Sequence, residues 1–142
     1  MGNQQSIQKL NFEDIQQIIK TPENYILINT LDKDLQECLI PNTINVNNEE
    51  LIINNLLSND KTKNIIIYGK NVNDPSIYER YEQLIKLGFN NLYVYPGGMF
   101  EWLCLQDIYS DELFPTNKKE MDILKYKPSS QLNKYCITNG ID

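Results

Sequence analysis

The chain has 142 residues, 41% hydrophobic and 23% charged, which is ordinary globular usage and excludes wholesale disorder. Its formal charge of -6, with no basic run, speaks against nucleic-acid binding. The lack of any histidine excludes His-based triads, His acid–base catalysis and His-containing zinc sites. Cys38, Cys104 and Cys136 lie far apart with no CxxC pair, so they read as reduced, intracellular thiols rather than a disulfide framework. No run approaches membrane-spanning length and no secretory leader is expected. No metal or cofactor is expected either, since scattered carboxylates such as Asp111-Glu112 read as solvated surface. Alanine is absent, arginine occurs once (Arg80), and Asn, Ile, Lys and Tyr abound. This bias points to an AT-rich coding genome, such as that of a protist or a large DNA virus.

Met1-Gly2-Asn3-Gln4-Gln5-Ser6 fits the M-G-x-x-x-[ST] pattern for N-myristoylation at Gly2. One myristoyl chain binds bilayers only marginally, and Lys9 is the sole nearby basic residue. The expectation is reversible or partner-assisted membrane association of an otherwise cytoplasmic protein. Residues 1–8 read as a polar arm.

Asn11 to Lys20 reads as a helix capped by Asn11, with Phe12, Ile15, Ile18 and Ile19 on one face and Pro22 as its stop. Tyr25 to Asn29 has the length and character of a strand. A charged loop follows from Asp32 to Glu37, and Ile44-Asn45-Val46 is expected to add a short strand. Glu49 to Leu57 returns to helical spacing. Asn64 to Tyr68 is apolar without alternation, as in a parallel strand buried on both faces. Gly69-Lys70-Asn71-Val72-Asn73-Asp74 is a loop. It leads into a helix with Asp74 as its cap, Pro75 as its first residue and Gly88 as its stop. Leu92 to Tyr95 is a strand, and Pro96-Gly97-Gly98 a turn with both glycines free to take positive φ. Met99 to about Ile108 is a helix with Trp102 placed to pack on the sheet. Residues 117–142 form a polar extension from which Met121, Ile123, Leu124 and Tyr126 are able to dock, and the final dozen residues are expected to be mobile. Strands alternating with helices in this way imply an α/β domain over residues 9–116, with a mostly parallel sheet covered on both faces.

Four segments in order resemble the rhodanese-like domain family. Ile40-Pro41-Asn42-Thr43-Ile44-Asn45 is similar to its HIPGAIN segment, with Leu39 in place of the histidine. Ile65-Ile66-Ile67-Tyr68 resembles the strand that enters its catalytic loop. Leu87-Gly88-Phe89-Asn90-Asn91-Leu92-Tyr93-Val94 resembles its LGF-x-NVYVL signature, and Pro96-Gly97-Gly98-Met99-Phe100-Glu101-Trp102 its GG-x-x-x-W motif. The strings Leu105 to Tyr109 and Phe114-Pro115-Thr116 resemble a sub-group from protists and large DNA viruses.

The resemblance implies sulfur transfer through a cysteine that opens the loop after the central strand. Backbone amides, a helix N-terminus and cations hold such a cysteine as thiolate. Here that position is Gly69, or Val72 or Asn73 if the loop is aligned from its other end. The usual loop arginine is missing, Lys70 is the remaining cation, and Asp74 opposes any bound anion. Ile28-Asn29-Thr30-Leu31 likewise lacks the acid and arginine of the family's DVR-like segment. Cell-cycle phosphatases of this fold use a Cys-x5-Arg loop, and neither end residue is present. Cys104, in an apolar helix, is expected to be buried and inert. Cys38 is expected to be partly exposed, with Asp34 and Glu37 raising its pKa, and Cys136 lies in the tail without a pocket.

The expected function is a non-catalytic binding or scaffold module that recognises a protein partner through the loop, including Lys70, Asn71, Asn73 and Asp74. The rival is a sulfurtransferase that recruits Cys38 or Cys104. A third reading is a structural or virion-associated protein without a ligand.

Overall fold

The strand Asn64–Tyr68 (β3) lies at the centre of the domain, and its Ile65, Ile66, Ile67 and Tyr68 are fully buried. The computed structural model describes residues 6–132. Four parallel strands, β1 (Gln8–Lys9), β2 (Tyr25–Asn29), β3 and β4 (Leu92–Tyr95), stand in the order β1-β4-β3-β2. Each crossover carries a helix: α1 (Phe12–Lys20), α2 (Val46–Asn59) and α3 (Ser76–Leu87), with α4 (Gly98–Ile108) following β4.

Strand periodicity splits the core in two. Ile65 and Ile67 pack with Ile53 of α2 and Ile77, Tyr81 and Leu84 of α3. Ile66 and Tyr68 point to the other face, among Ile15 and Ile18 of α1 and Met99, Trp102 and Leu103 of α4. A continuous apolar run is what a strand covered on both faces requires, and each buried isoleucine contributes about 1.5–3 kcal/mol.

Local signals set the helix ends. The Asn11 side chain accepts from the amides of Glu13 and Asp14, and Asp14 accepts in return from the Asn11 amide at 3.0 Å, a capping box. Gly88 closes α3 at φ 105°, where a side chain would be strained.

Three expectations need correction. Ile44-Asn45-Val46 makes no strand: Thr43 forms an isolated bridge to Leu27, the Asn45 side chain caps the next helix, and α2 begins at Val46. Capping outcompetes pairing there because Asn45 Oδ1 accepts the Asn47 amide at 2.8 Å. Strand β1 has no local signal, since Gln8 and Lys9 are exposed and polar; it exists through pairing with Tyr93 and Val94, which draws Gln8 from the arm into the sheet. At the turn into α4, Gly98 alone takes positive φ (64°), while Gly97 sits at -58°.

The extension is also more integrated than its polarity suggests. Tyr126 is buried, as is Phe114 just before the extension, whereas Met121 and Leu124 remain exposed. Asn117 exchanges two hydrogen bonds with the backbone of Leu39, and residues Ile123–Tyr126 form a short 3-10 turn against α4. Gly2 and Cys136 lie outside the described residues, as does most of the tail expected to be mobile.

Candidate functional site

The loop from Gly69 to Asp74 leaves the carboxyl end of β3, where open parallel sheets place their ligands. It is held from beneath by the start of α4: the Met99 amide donates to Gly69 O and the Phe100 amide to Lys70 O, both at 2.9 Å. The approach is so close that a Cβ on Gly98 would stand 2.6 Å from Gly69 O, in a backbone conformation that already disfavours side chains. A Cβ on Gly97 would meet the Glu101 side chain rather than backbone, nearest at its carboxylate end, and Gly97 holds an ordinary negative φ. Gly98→Ala is therefore expected to cost about 2 kcal/mol or more in urea-unfolding stability, and Gly97→Ala less than half of that. Equal losses would remove the assigned role of Gly98 as the loop's seat.

Inside the loop, Asp74 has turned inward. Its Oδ2 accepts the Lys70 amide at 2.9 Å, and its Oδ1 accepts the Ser76 amide at 3.0 Å and the Ser76 hydroxyl at 2.6 Å. Ser76 Oγ also lies 2.7 Å from Thr30 Oγ1 on the neighbouring strand end. Asp74 thus braces the loop and holds the Ser76 amide from two residues back. Pro75, expected as the first helical residue behind an Asp74 cap, itself stands at the N-cap of α3, because the helix begins at Ser76. The same carboxylate fills the space beside Gly69: a Cβ built there would fall 2.6 Å from Asp74 Oδ2 and 2.8 Å from Thr30 Oγ1. Gly69 is the residue that this packing admits, and the Asp74 carboxylate takes up the Lys70 amide.

Asn71 is only 8% exposed, and its side chain is committed internally. Nδ2 donates to Tyr126 O and Oδ1 accepts the Asn73 amide, both at 2.9 Å. The loop therefore grips the chain's own extension. Val72, Asn73 and half-buried Lys70 are left as its accessible side chains.

Above the loop lies a polar cavity of about 380 Å³. Thr30, Asp32, Lys70, Asn73 and Ser76 wall one side, and Lys127, Ser129 and Gln131 of the extension also line it. The sequence reading singled out the loop half of this cavity and missed the extension half. The available signal was the set of apolar residues Met121, Ile123, Leu124 and Tyr126, of which Tyr126 is the one that becomes buried.

Neither described cysteine lines that cavity. Cys38 is buried rather than partly exposed, and its thiol donates to Lys118 O at 3.2 Å. Burial is the main cause of its raised pKa; Glu120 adds to the rise, and the contact with Thr116 opposes it. Cys104 is half-buried rather than fully buried. It opens on a separate, largely apolar groove with Leu10, Val72 and Phe100, and its pKa is raised by desolvation and then by Asp107 and Glu101. Raised pKa values leave little thiolate at neutral pH. Iodoacetamide at pH 7.5 is expected to modify native Cys104 slowly and Cys38 more slowly still, both rates climbing above roughly pH 9. Peptide mass mapping measures this, and fast labelling of Cys38 at neutral pH would contradict the buried placement.

Burial, the largest cause, likewise raises the pKa of Tyr68, whose hydroxyl bonds Thr43 and Ile40, and that of Tyr95, which donates to Glu101. These groups are neutral below their unfolded-state pKa values and resist ionising when folded. Their contribution is therefore complete at neutral pH and is lost as the pH climbs through the alkaline range. With no histidine to titrate, stability is expected to be nearly flat from pH 6 to 8 and to fall above about pH 9. Urea midpoints across that range test it.

Among the described residues, no group of carboxylates and thiols is assembled to hold a metal ion. No described helix is long and apolar enough to cross a membrane.

Solved structures with this architecture are numerous. A single-domain sulfurtransferase from Saccharomyces cerevisiae superposes with a TM-score of 0.57 at 16% identity, covering 75% of this chain and 97% of that one. The BH2092 protein of Bacillus halodurans gives 0.57 at 22% identity, over 68% and 72% of the two chains. The homodimeric polysulfide-sulfur transferase of Wolinella succinogenes gives 0.53 at 18% identity, over 81% of each. At these identities the likeness establishes the fold. No curated protein matches the sequence. The family profile of the rhodanese-like domain matches residues 10–104, from the end of β1 into α4, and the chain belongs to that family.

Proposed function

We propose that this protein is a non-catalytic rhodanese-like binding module whose recognition surface is the loop after β3 together with the extension docked on it. One observation carries the reading: the position where the family resemblance calls for a nucleophilic cysteine is Gly69, and the space a side chain would need there is occupied by Asp74 Oδ2. Lys70 and Asn73 remain accessible on the loop to meet a ligand or a protein partner. The Met1-Gly2 opening adds N-myristoylation as a weak, reversible membrane contact, which keeps the module near a bilayer without fixing it there.

The decisive experiment is sulfur transfer from thiosulfate to cyanide by purified protein, with alkylated protein as control and intact mass after thiosulfate exposure as the second readout. The expected result is no turnover above the alkylated control and no added sulfur. Thiol-dependent turnover would overturn the reading and identify Cys38 or Cys104 as a recruited nucleophile. For the membrane contact, intact mass after co-expression with an N-myristoyltransferase should show the acyl adduct in the native sequence and none in Gly2→Ala.

A further inference from the structure

We infer that the apolar groove between the end of β1 and α4 is the seat of the N-terminal acyl chain, which lies there when no membrane takes it up. This rests on the reading that Gly2 is N-myristoylated and names where that chain goes. The groove has a volume of about 580 Å³, within the range of sites that hold a small organic ligand.

Its walls come from four segments. Leu10 follows β1, and Phe100 and Cys104, four residues apart on one face of α4, stand beside Leu105. Val72 of the loop and Pro128 of the extension close it. Leu10, Phe100, Cys104 and Leu105 are half-buried and Val72 is 61% exposed, so the groove presents open apolar surface. Its carboxylate, Glu101, takes the Tyr95 hydroxyl hydrogen, and among the described residues no lysine or arginine lines it. A free fatty acid would bring its own carboxylate here with no cation to meet it. An amide-linked acyl chain carries no charge and suits these walls.

The arm supplies the tether. Gly2 precedes β1 by six residues, a span of at most about 22 Å. Strand β1 then leads straight to the groove, where the Leu10 amide donates to Val94 O at 2.8 Å and fixes that wall to the sheet. A chain on Gly2 is thereby held near the groove at an effective concentration on the order of 1 mM. The acyl chain binds bilayers with a constant of order 10⁴ M⁻¹. A groove that binds it only as well as a bilayer does would hold it in about nine molecules of ten without membranes. The seated chain covers Val72, so its release to a bilayer uncovers the apolar residue of the recognition loop.

The test compares the full chain, acylated by co-expression with an N-myristoyltransferase, with the unacylated Gly2→Ala chain. Intact mass comes first: a native sequence without the adduct would overturn the myristoylation reading and this occupant with it. With the adduct present, amide NMR shifts are expected at Val72, at residues 97–105 and at Ser129. Iodoacetamide labelling of Cys104 at about pH 8.5 should slow about five- to tenfold on acylation. Shifts confined to residues 3–9, with Cys104 labelling unchanged, would overturn the seat and leave the lipidation reading intact.

Val72→Glu puts a charge at the exposed edge of the groove. In the acylated protein it should restore Cys104 labelling and raise binding to neutral phosphatidylcholine vesicles about five- to tenfold. Leu51→Glu, exposed on α2 outside the groove, should change neither. Vesicle binding no stronger in Val72→Glu than in the native sequence would overturn the seat. Protection of Cys104 that disappears on about tenfold dilution would place the chain in a second copy's groove and overturn the tethered arrangement.

Discussion

Gly69→Cys is expected to destabilise the domain by about 2 kcal/mol and to leave sulfur transfer at background. The new Cβ would lie 2.6 Å from Asp74 Oδ2, 2.8 Å from Thr30 Oγ1 and 2.9 Å from Ile77 Cγ2, so three neighbours must move. A thiol forced in beside a carboxylate would also be held neutral by like-charge repulsion, the reverse of what a nucleophile needs. Asp74→Gly alone removes the acceptor for the Lys70 and Ser76 amides and should cost about 1 kcal/mol, the usual net worth of such a hydrogen bond. The double variant is expected to be more stable than the sum of the two losses predicts, by about 1 kcal/mol, because the second change vacates the space the first one needs. Urea unfolding of the four proteins measures that coupling. Strict additivity would mean that the carboxylate is not what closes the position.

Trp102→Ala is expected to be the most damaging single substitution, at about 3–5 kcal/mol. The indole is fully buried and meets Tyr95 and Phe114 edge-on, at ring-centroid distances of 6.3 Å and 5.1 Å. Its Nε1 donates to Pro115 O at 2.8 Å, so it joins α4 to the segment leading into the extension as well as to the sheet. Trp102→Phe keeps most of the apolar contact but strips Pro115 O of its donor, and a loss of about 1–2 kcal/mol is expected. Because the extension is tied to α4 here and to the loop at Asn71, Trp102→Ala should also raise proteolysis between residues 117 and 131 ahead of global unfolding. Limited trypsin digestion followed by mass spectrometry reports this through cleavage after Lys118, Lys119 and Lys125. Digestion confined to globally unfolded protein would separate the extension's docking from Trp102.

The amino-acid sequence determined most of the architecture. Ile65-Ile66-Ile67-Tyr68 cannot be satisfied except in a strand covered on both faces, Asn11 and Gly88 carry their own helix-end chemistry, and the spacing of the Gly97-Gly98 turn and Trp102 marks the start of α4. The start of the loop was legible too, since Gly69 follows the last residue of β3 directly. The reason is that these features depend on local propensity and on periodicity, which act over a few residues.

Only the tertiary structure decided the remainder. Strand β1 is two polar residues that pair because β4 offers an edge; Ile44-Asn45-Val46 gives up strand formation because a side-chain cap is available. The depth of Cys38 depends on an extension about eighty residues away in sequence, whose Lys118 carbonyl takes its thiol hydrogen. The inward turn of Asp74 and the union of Lys70 with Lys127 around one cavity likewise arise where segments distant in sequence meet. Such contacts leave no periodic trace, because the energy that selects them comes from partners brought near only once the sheet has formed.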